Sequence, residues 1–209
     1  GEANAWYERN HQALQSKVFD LSDPVIKQVS NISKQLEYAN KKIKVLEIGC
    51  GEANRLAWIS EHLDADVYGL DPSTKAVELA RKRGVNAEHG TADHLPFELG
   101  SFDVVIFGFC LYLCDREDLF KIAHNTDRVL KKSSWLIIND FFSPTPVSRD
   151  YHHKQNVYSF KMDYRKLFDW HPAYTCYSHI LYDHNKHGDF TDDTHEWVST
   201  SVLRKNIQL

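Results

Sequence analysis

Short apolar runs alternate with amphipathic stretches through the middle of the chain. Compact apolar runs are typical of buried strands, and apolar residues spaced by three and four are typical of helices. The pattern predicts strands near residues 44–48, 67–70, 85–88, 102–107 and 134–140. It predicts helices near residues 54–61, 73–83 and 117–130. Strands that alternate with helices indicate an α/β fold, in which a parallel sheet is covered on both faces.

The two ends of the chain differ from this alternating core. Residues 24–38 predict an amphipathic helix before the repeat, and residues 142–172 form an insertion rich in Tyr, His, Phe and Trp. Further strands are predicted near residues 174–182 and 196–204. We therefore expect one domain made of a helical cap, a core, an insertion and a terminal hairpin. The corresponding boundaries are 1–42, 43–141, 142–173 and 174–209.

Two glycines stand between the first predicted strand and the helix that follows it. Gly49 and Gly51 allow a tight turn and close approach of a ligand, and the N–H groups of the next helix point at that turn. Asp71 ends the second predicted strand, twenty residues beyond Gly51, where a carboxylate can accept hydrogen bonds from a ribose. The glycine-rich loop of dinucleotide-binding folds has a third glycine at the position that Asn54 occupies in this chain. The loop taken alone fits either a nicotinamide cofactor or S-adenosylmethionine.

Two later segments distinguish these cofactors. Residues 92–97 read Ala-Asp-His-Leu-Pro-Phe, and residues 102–105 read Phe-Asp-Val-Val. With the loop that starts at Glu47 and with Asp71, these segments make the chain similar to the class I S-adenosylmethionine-dependent methyltransferases. The likeness is strongest to the small-molecule group called type 11 methyltransferases. It covers about residues 43–140, and the ordered set of motifs is more specific than any one of them.

The resemblance implies a fold and a cofactor. The fold is a Rossmann-like, doubly wound, mostly parallel seven-stranded sheet that ends in an antiparallel hairpin, and the cofactor is S-adenosylmethionine. The chain departs from many relatives at Ala53, where they have a third glycine. Because ligands of this fold class bind at the carboxyl ends of the strands, the aromatic insertion is expected to roof the substrate.

The resemblance also implies roles at the cofactor. Gly49 and Gly51 would let the backbone pass close to the methionine part of the cofactor. Glu47 would organise the loop or contact the amino group of the cofactor, unless it only caps the loop. Asp71 would hold the ribose, and Asp93 would accept from the adenine amino group. Trp6 and Tyr7 would cover the cofactor, unless their segment only packs on the sheet edge. The full expected set is Trp6, Tyr7, Glu47, Gly49, Cys50, Gly51, Asp71, Pro72, Ala92, Asp93, His94, Phe109 and Leu111.

Catalytic residues are less defined, because the family shares no single catalytic group. A histidine titrates in the range that a general base needs, and His153 lies on the expected lid. Tyr112 after the fourth strand and Asp140 at the end of the fifth are its expected partners. The aromatic lid could enclose a cation or simply pack. The Asp-His-Asn-Lys-His-Gly-Asp run at 183–189 is interpreted as a solvated turn, so no metal site is expected.

Composition limits the partners. The 209 residues carry a net charge of −4, which gives no general attraction to nucleic acid. The four cysteines form no C-x-x-C pair, and no apolar run approaches the length of a membrane helix. We expect a cytoplasmic monomer or homodimer that acts on oxygen or nitrogen of a small polar metabolite. The alternatives are methylation of RNA or protein, and a non-catalytic module that only binds the cofactor.

Overall fold

The computed structural model describes residues 2–37, 42–150, 158–186 and 189–206. Helices α1 to α5 span Glu2–Ser16, Pro24–Glu37, Asn54–His62, Thr74–Lys82 and Leu119–Val129. Strands β1 to β5 span Ile43–Ile48, Ala65–Asp71, Asn86–His89, Phe102–Gly108 and Leu130–Phe141. Strands β6 to β9 span Val147–Asp150, Tyr158–Lys161, Tyr174–Asp183 and Trp197–Asn206.

Seven of these strands form one sheet in the order β3-β2-β1-β4-β5-β9-β8. Strands β1 to β5 pair in parallel, and β9 is antiparallel to both β5 and β8. The predicted mostly parallel sheet with a closing antiparallel hairpin is therefore confirmed. The insertion holds a second sheet that the sequence pattern did not predict, the antiparallel ribbon of β6 and β7.

The side chains of the strands pack in two separate hydrophobic cores, one on each face of the sheet. In β1, Val45 packs on the face that α2, α3 and α4 cover, whereas Leu46 and Ile48 pack on the face that α5 covers. Tyr164 and Phe168 of the insertion join the second core, next to Ile122 of α5. Covering both faces leaves the ends of the strands as the place where a ligand can enter.

The aromatic side chains of the insertion are divided between packed positions and exposed ones, with Tyr158 and Trp170 among the exposed. Tyr164 is 3% exposed, and the Arg116 guanidinium lies 4.2 Å from the ring centre of Phe160. His153 lies outside the described residues. Within the described ranges, every helix is too short or too polar to cross a bilayer.

Candidate functional site

Two cavities lie at the carboxyl ends of β1, β2 and β4. The first has a volume of about 320 Å³ and the second about 530 Å³. They share walls formed by Trp6, Gly49, Asp71 and Phe109. Since these residues come from α1 and from the ends of three neighbouring strands, the two cavities meet at the loops that follow the carboxyl ends of those strands.

The two loop glycines serve different purposes. Gly49 has φ +75° and donates its N–H to the Leu70 carbonyl at 2.7 Å, and an added Cβ would lie 2.8 Å from Cys110 Sγ. Gly51 has φ +55°, but an added Cβ would meet no protein atom within 4 Å. Packing requires the first glycine, while the second leaves open space beside the cavity. Ala53 takes the same left-handed conformation, with φ 59°, so the backbone keeps the shape that a third glycine would adopt.

Asp71 holds the loop against the start of α4. One carboxylate oxygen accepts the N–H of Gly51 and the other accepts the N–H of Ser73, both at 2.8 Å. Burial raises the pKa of Asp71, and the two N–H donors oppose that shift. The side chain lines both cavities, and Pro72 beside it lines the first.

The first cavity combines apolar walls with carboxylates. Ile48, Leu70 and Ile122 supply apolar surface, and Ala92 and Asp93 close one side. Mostly apolar walls with a few polar groups are typical of small-molecule and cofactor sites. His94, predicted beside the ring, is exposed and is not part of this wall.

A buried charge cluster lies at the base of the second cavity. The Glu47 carboxylate pairs through one oxygen with Arg55, whose Nε lies 3.4 Å from the Asp23 carboxylate. The other oxygen of Glu47 is buried and has no hydrogen-bond partner among the described residues. Burial raises the pKa of Glu47, and the Arg55 charge opposes this. A buried carboxylate oxygen that lacks a donor is suited to an ammonium group.

The two neighbouring aromatic residues of α1, Trp6 and Tyr7, have different roles. Trp6 lines both cavities, and its indole N–H is buried with no acceptor among the described residues. Tyr7 lines neither cavity. Its hydroxyl donates to the Glu52 carboxylate instead. Burial and this bond raise the pKa of Tyr7. Trp6 therefore lies at the site, and Tyr7 attaches α1 to the glycine loop.

The chain leaving β4 places one predicted residue at the junction and another in the core. Phe109 has φ +54°, an uncommon conformation for a bulky residue, and it lines both cavities. Leu111 is fully buried and lines neither. Tyr112 lines the second cavity, with its ring 5.0 Å from that of Phe141. Cys50 lines the second cavity too, and burial raises the pKa of its thiol.

Asp140 lies behind the cavity wall. Its carboxylate accepts the N–H groups of Cys110, Leu111 and Phe141, at 3.1, 2.8 and 2.8 Å. Burial raises its pKa to about 7, although these donors favour the charged form. It is completely buried and lines neither cavity, so the structure gives it a backbone-anchoring function, and its predicted part in catalysis stays a prediction.

Several residues of the second cavity were missed by the sequence analysis. They include Lys17, Phe19, Glu52, Arg55, Phe141, Arg149, Ser159, Lys161, His184, His195 and Glu196. Arg55 carried a usable signal, a charge one position from Leu56 and four from Ile59 on the buried face of α3. Of the run at 183–189, which was interpreted as a solvated turn, His184 is half-buried with its ring 4.9 Å from that of Phe141, and residues 187 and 188 lie outside the described ranges. The described residues contain no cluster that could hold a metal ion.

Comparison with known proteins points to one family. Residues 45–133 match a family model described as a methyltransferase domain. Demethylmenaquinone methyltransferase from Thermotoga maritima is 35% identical over 114 residues, which cover 52% of this chain and 47% of that protein. The chain thus spans about half the length of the curated relatives it matches.

Solved structures match over most of the chain, at identities that establish the fold alone. The 1,6-didemethyltoxoflavin N1-methyltransferase from Burkholderia thailandensis, solved with 1,6-didemethyltoxoflavin and S-adenosylhomocysteine, has a TM-score of 0.69 at 14% identity. The alignment covers 97% of this chain and 85% of that one. An S-adenosylmethionine-dependent methyltransferase from Methanosarcina mazei has a TM-score of 0.64 at 15% identity, with 80% and 94% covered.

Proposed function

By its fold and by the family match of residues 45–133 the chain belongs to the class I S-adenosylmethionine-dependent methyltransferases, and we propose that it methylates oxygen or nitrogen of a small polar metabolite. S-adenosylmethionine is the methyl donor of this family. The observation that carries the proposal is the pair of cavities that meet at Gly49, Asp71 and Phe109. A donor bound across this junction would present its methyl group to an acceptor in the second cavity.

The residues present fit the donor. Asp71 and Asp93 would meet the ribose and the adenine amino group, and Ile48 and Leu70 would pack against the adenine. Glu47 would take the methionine ammonium with its unpartnered oxygen. The open space at Gly51 would leave the backbone accessible to the methionine part. Trp6, which belongs to both cavity walls, would cover the junction.

When bound, S-adenosylmethionine would supply a sulfonium methyl group to a lone pair of the acceptor, which attacks the methyl carbon in line with the C–S bond while S-adenosylhomocysteine leaves as that bond breaks. The protein therefore has to align the acceptor and exclude water, and good alignment corresponds to effective molarities on the order of 10⁵ M or more. Phe109 and Phe141 form an aromatic corner on the second cavity, their ring centres 5.2 Å apart. Tyr112, on the same wall, is placed to orient an acceptor hydroxyl or amine, and we retain His153 as the proposed base.

The far wall of the second cavity favours a polar acceptor over an apolar one. The matched family region ends at residue 133, before most of the far wall of the second cavity, which comes from residues beyond 140. A quinone would need an apolar chamber, whereas this wall carries Arg149, Lys161 and Glu196. The polar wall supports a small polar acceptor.

The test is calorimetric titration with S-adenosylhomocysteine and, separately, with NADH. We expect binding of S-adenosylhomocysteine alone, followed by methylation of a small molecule in a screen with labelled methyl donor. Binding of NADH alone would overturn the proposal. Cofactor binding with no acceptor methylated in an extended small-molecule screen would favour the non-catalytic module, and labelling of RNA or protein would favour a macromolecular substrate.

A further inference from the structure

The ribbon of β6 and β7 presents a cationic face to the second cavity. Arg149 pairs with Ser159 across the ribbon, and Lys161 lies two residues further along β7, so the three side chains share one face. All three line the second cavity. Phe160, on the opposite face, packs against Arg116 instead.

The two ribbon cations have no carboxylate partner in the described part of the chain. The Arg149 guanidinium contacts the ring of His195, and the Lys161 ammonium donates to the backbone carbonyl of His195. Burial and the Arg149 charge lower the pKa of Lys161, and the charges of Glu196 and Asp193 oppose this shift. Two like charges held side by side are costly unless an anion lies between them.

The carboxylates of this cavity have partners of their own. Glu47 pairs with Arg55, Asp71 accepts two backbone N–H groups, and Glu52 pairs with Arg83 at 2.7 Å. Glu196 and Asp193, whose charges act on Lys161, accept the Asn185 amide at 3.0 Å and the His195 N–H at 2.9 Å. The other cations that line the cavity, Lys17 and Arg55, form ion pairs with Asp23 and Glu47, so Arg149 and Lys161 are the lining cations that form no ion pair with a described carboxylate.

We propose that Arg149 and Lys161 bind an anionic group, a carboxylate or a phosphate, of the methyl acceptor and thereby set acceptor specificity. The Lys161 ammonium also lies 4.6 Å from the ring centre of Phe141, so the anion site borders the aromatic corner. An acceptor with a ring on Phe141 and an acidic substituent at the ribbon would extend its reacting atom towards Phe109. This inference rests on the proposed function, because the anion belongs to the acceptor.

The experiment compares acidic and neutral versions of one probe. Protein saturated with S-adenosylhomocysteine is titrated in a calorimeter with 4-hydroxybenzoate, 4-hydroxybenzamide and phenyl phosphate. We expect the better of the two anions to bind about tenfold more tightly than the amide, since a charge-assisted pair contributes on that order. The difference between the two anions distinguishes a carboxylate site from a phosphate site.

Matched variants test which side chains produce the preference for the anionic probe. Lys161→Gln and Arg149→Gln should each reduce the preference for the anion severalfold. Lys166→Gln, on an exposed side chain of the same insertion, should leave it unchanged. Equal binding of amide and anions to the wild-type protein, or a preference retained in both ribbon variants, would overturn the inference. Failure of S-adenosylhomocysteine to bind would count against the proposed function instead, and the anion preference would then be measured on the protein alone.

Discussion

The Asp71 carboxylate accepts the backbone N–H of Gly51 at 2.8 Å, so a single side chain at the end of β2 shapes the loop that follows β1. Its other oxygen is held by the N–H of Ser73 at the start of α4. Both bonds fix the carboxylate on the wall shared by the two cavities. A ribose would meet a carboxylate that is already oriented, which lowers the ordering cost of binding.

Replacing Asp71 by asparagine tests this arrangement. The amide oxygen can accept only one of the two N–H groups well, and the charge that would accept from ribose hydroxyls is lost. We expect the affinity for S-adenosylhomocysteine to fall by about 10- to 100-fold, measured by calorimetry. Asp66→Asn, at an exposed ion pair on the same strand, is the control and should bind as the wild type does. Unchanged affinity in Asp71→Asn would remove the residue from the site.

Alanine variants at two glycines with similar backbone conformations can distinguish the effect of backbone strain from the effect of a blocked ligand site. Gly51 and Gly84 both have positive φ, +55° and +82°, and neither has an atom within 4 Å of an added Cβ. Alanine at either position should lower the free energy of unfolding by about 1 to 2 kcal/mol. Only Gly51→Ala should weaken S-adenosylhomocysteine binding, because its methyl group would enter the open space at the cavity. Equal affinities in the two variants would show that no ligand approaches Gly51.

The buried pair of Glu47 and Arg55 makes a prediction about stability. Glu47→Gln removes a charge that Arg55 needs in the interior, so among the described residues the guanidinium keeps Asp23 as its one carboxylate partner. We expect a loss of about 3 kcal/mol in the free energy of unfolding, measured in urea. Glu61→Gln, on the exposed face of α3, should change it by less than about 0.5 kcal/mol. A loss no larger than that of the control would contradict the structural role of the pair.

The cofactor half of the fold could be predicted because its signals are local. A strand, a glycine turn and an acid at the end of the next strand follow one another closely, and the parallel sheet brings them to one edge. Gly49, Asp71 and Asp93 reached the cavities for this reason. Tyr7 and Leu111 did not, since each lies next to a lining residue and its side chain points into the protein.

The walls of the second cavity were harder to predict because their sequence signals are distant or short. Arg149 and Lys161 become neighbours only through the pairing of two four-residue strands, which are too brief to stand out from the aromatic composition of the insertion. Asp140 differs from these residues, because its predicted part in catalysis stays a prediction. Its place at the end of a strand indicated a site residue, but the turn after β4 aims its N–H groups at the carboxylate.

Asp140 makes a prediction about pH. Burial raises its pKa in the folded protein to about 7, above its ordinary value of 3.8. Between about pH 4 and pH 7 the folded state therefore holds a proton that the unfolded state has released. Its contribution to stability is fully present below pH 4 and is lost as the pH rises through 7.

Urea unfolding at several pH values from 4.5 to 7.5 would measure this loss. Relative to Asp140→Asn, whose side chain does not titrate, the wild-type protein should lose about 3 kcal/mol across the window. The absolute stability of the variant is not the readout, because the amide also loses a backbone hydrogen bond. Asp64→Asn, at an exposed carboxylate, should follow the wild-type pH profile. Parallel profiles for wild type and Asp140→Asn would mean that the three N–H donors keep the carboxylate charged throughout the window.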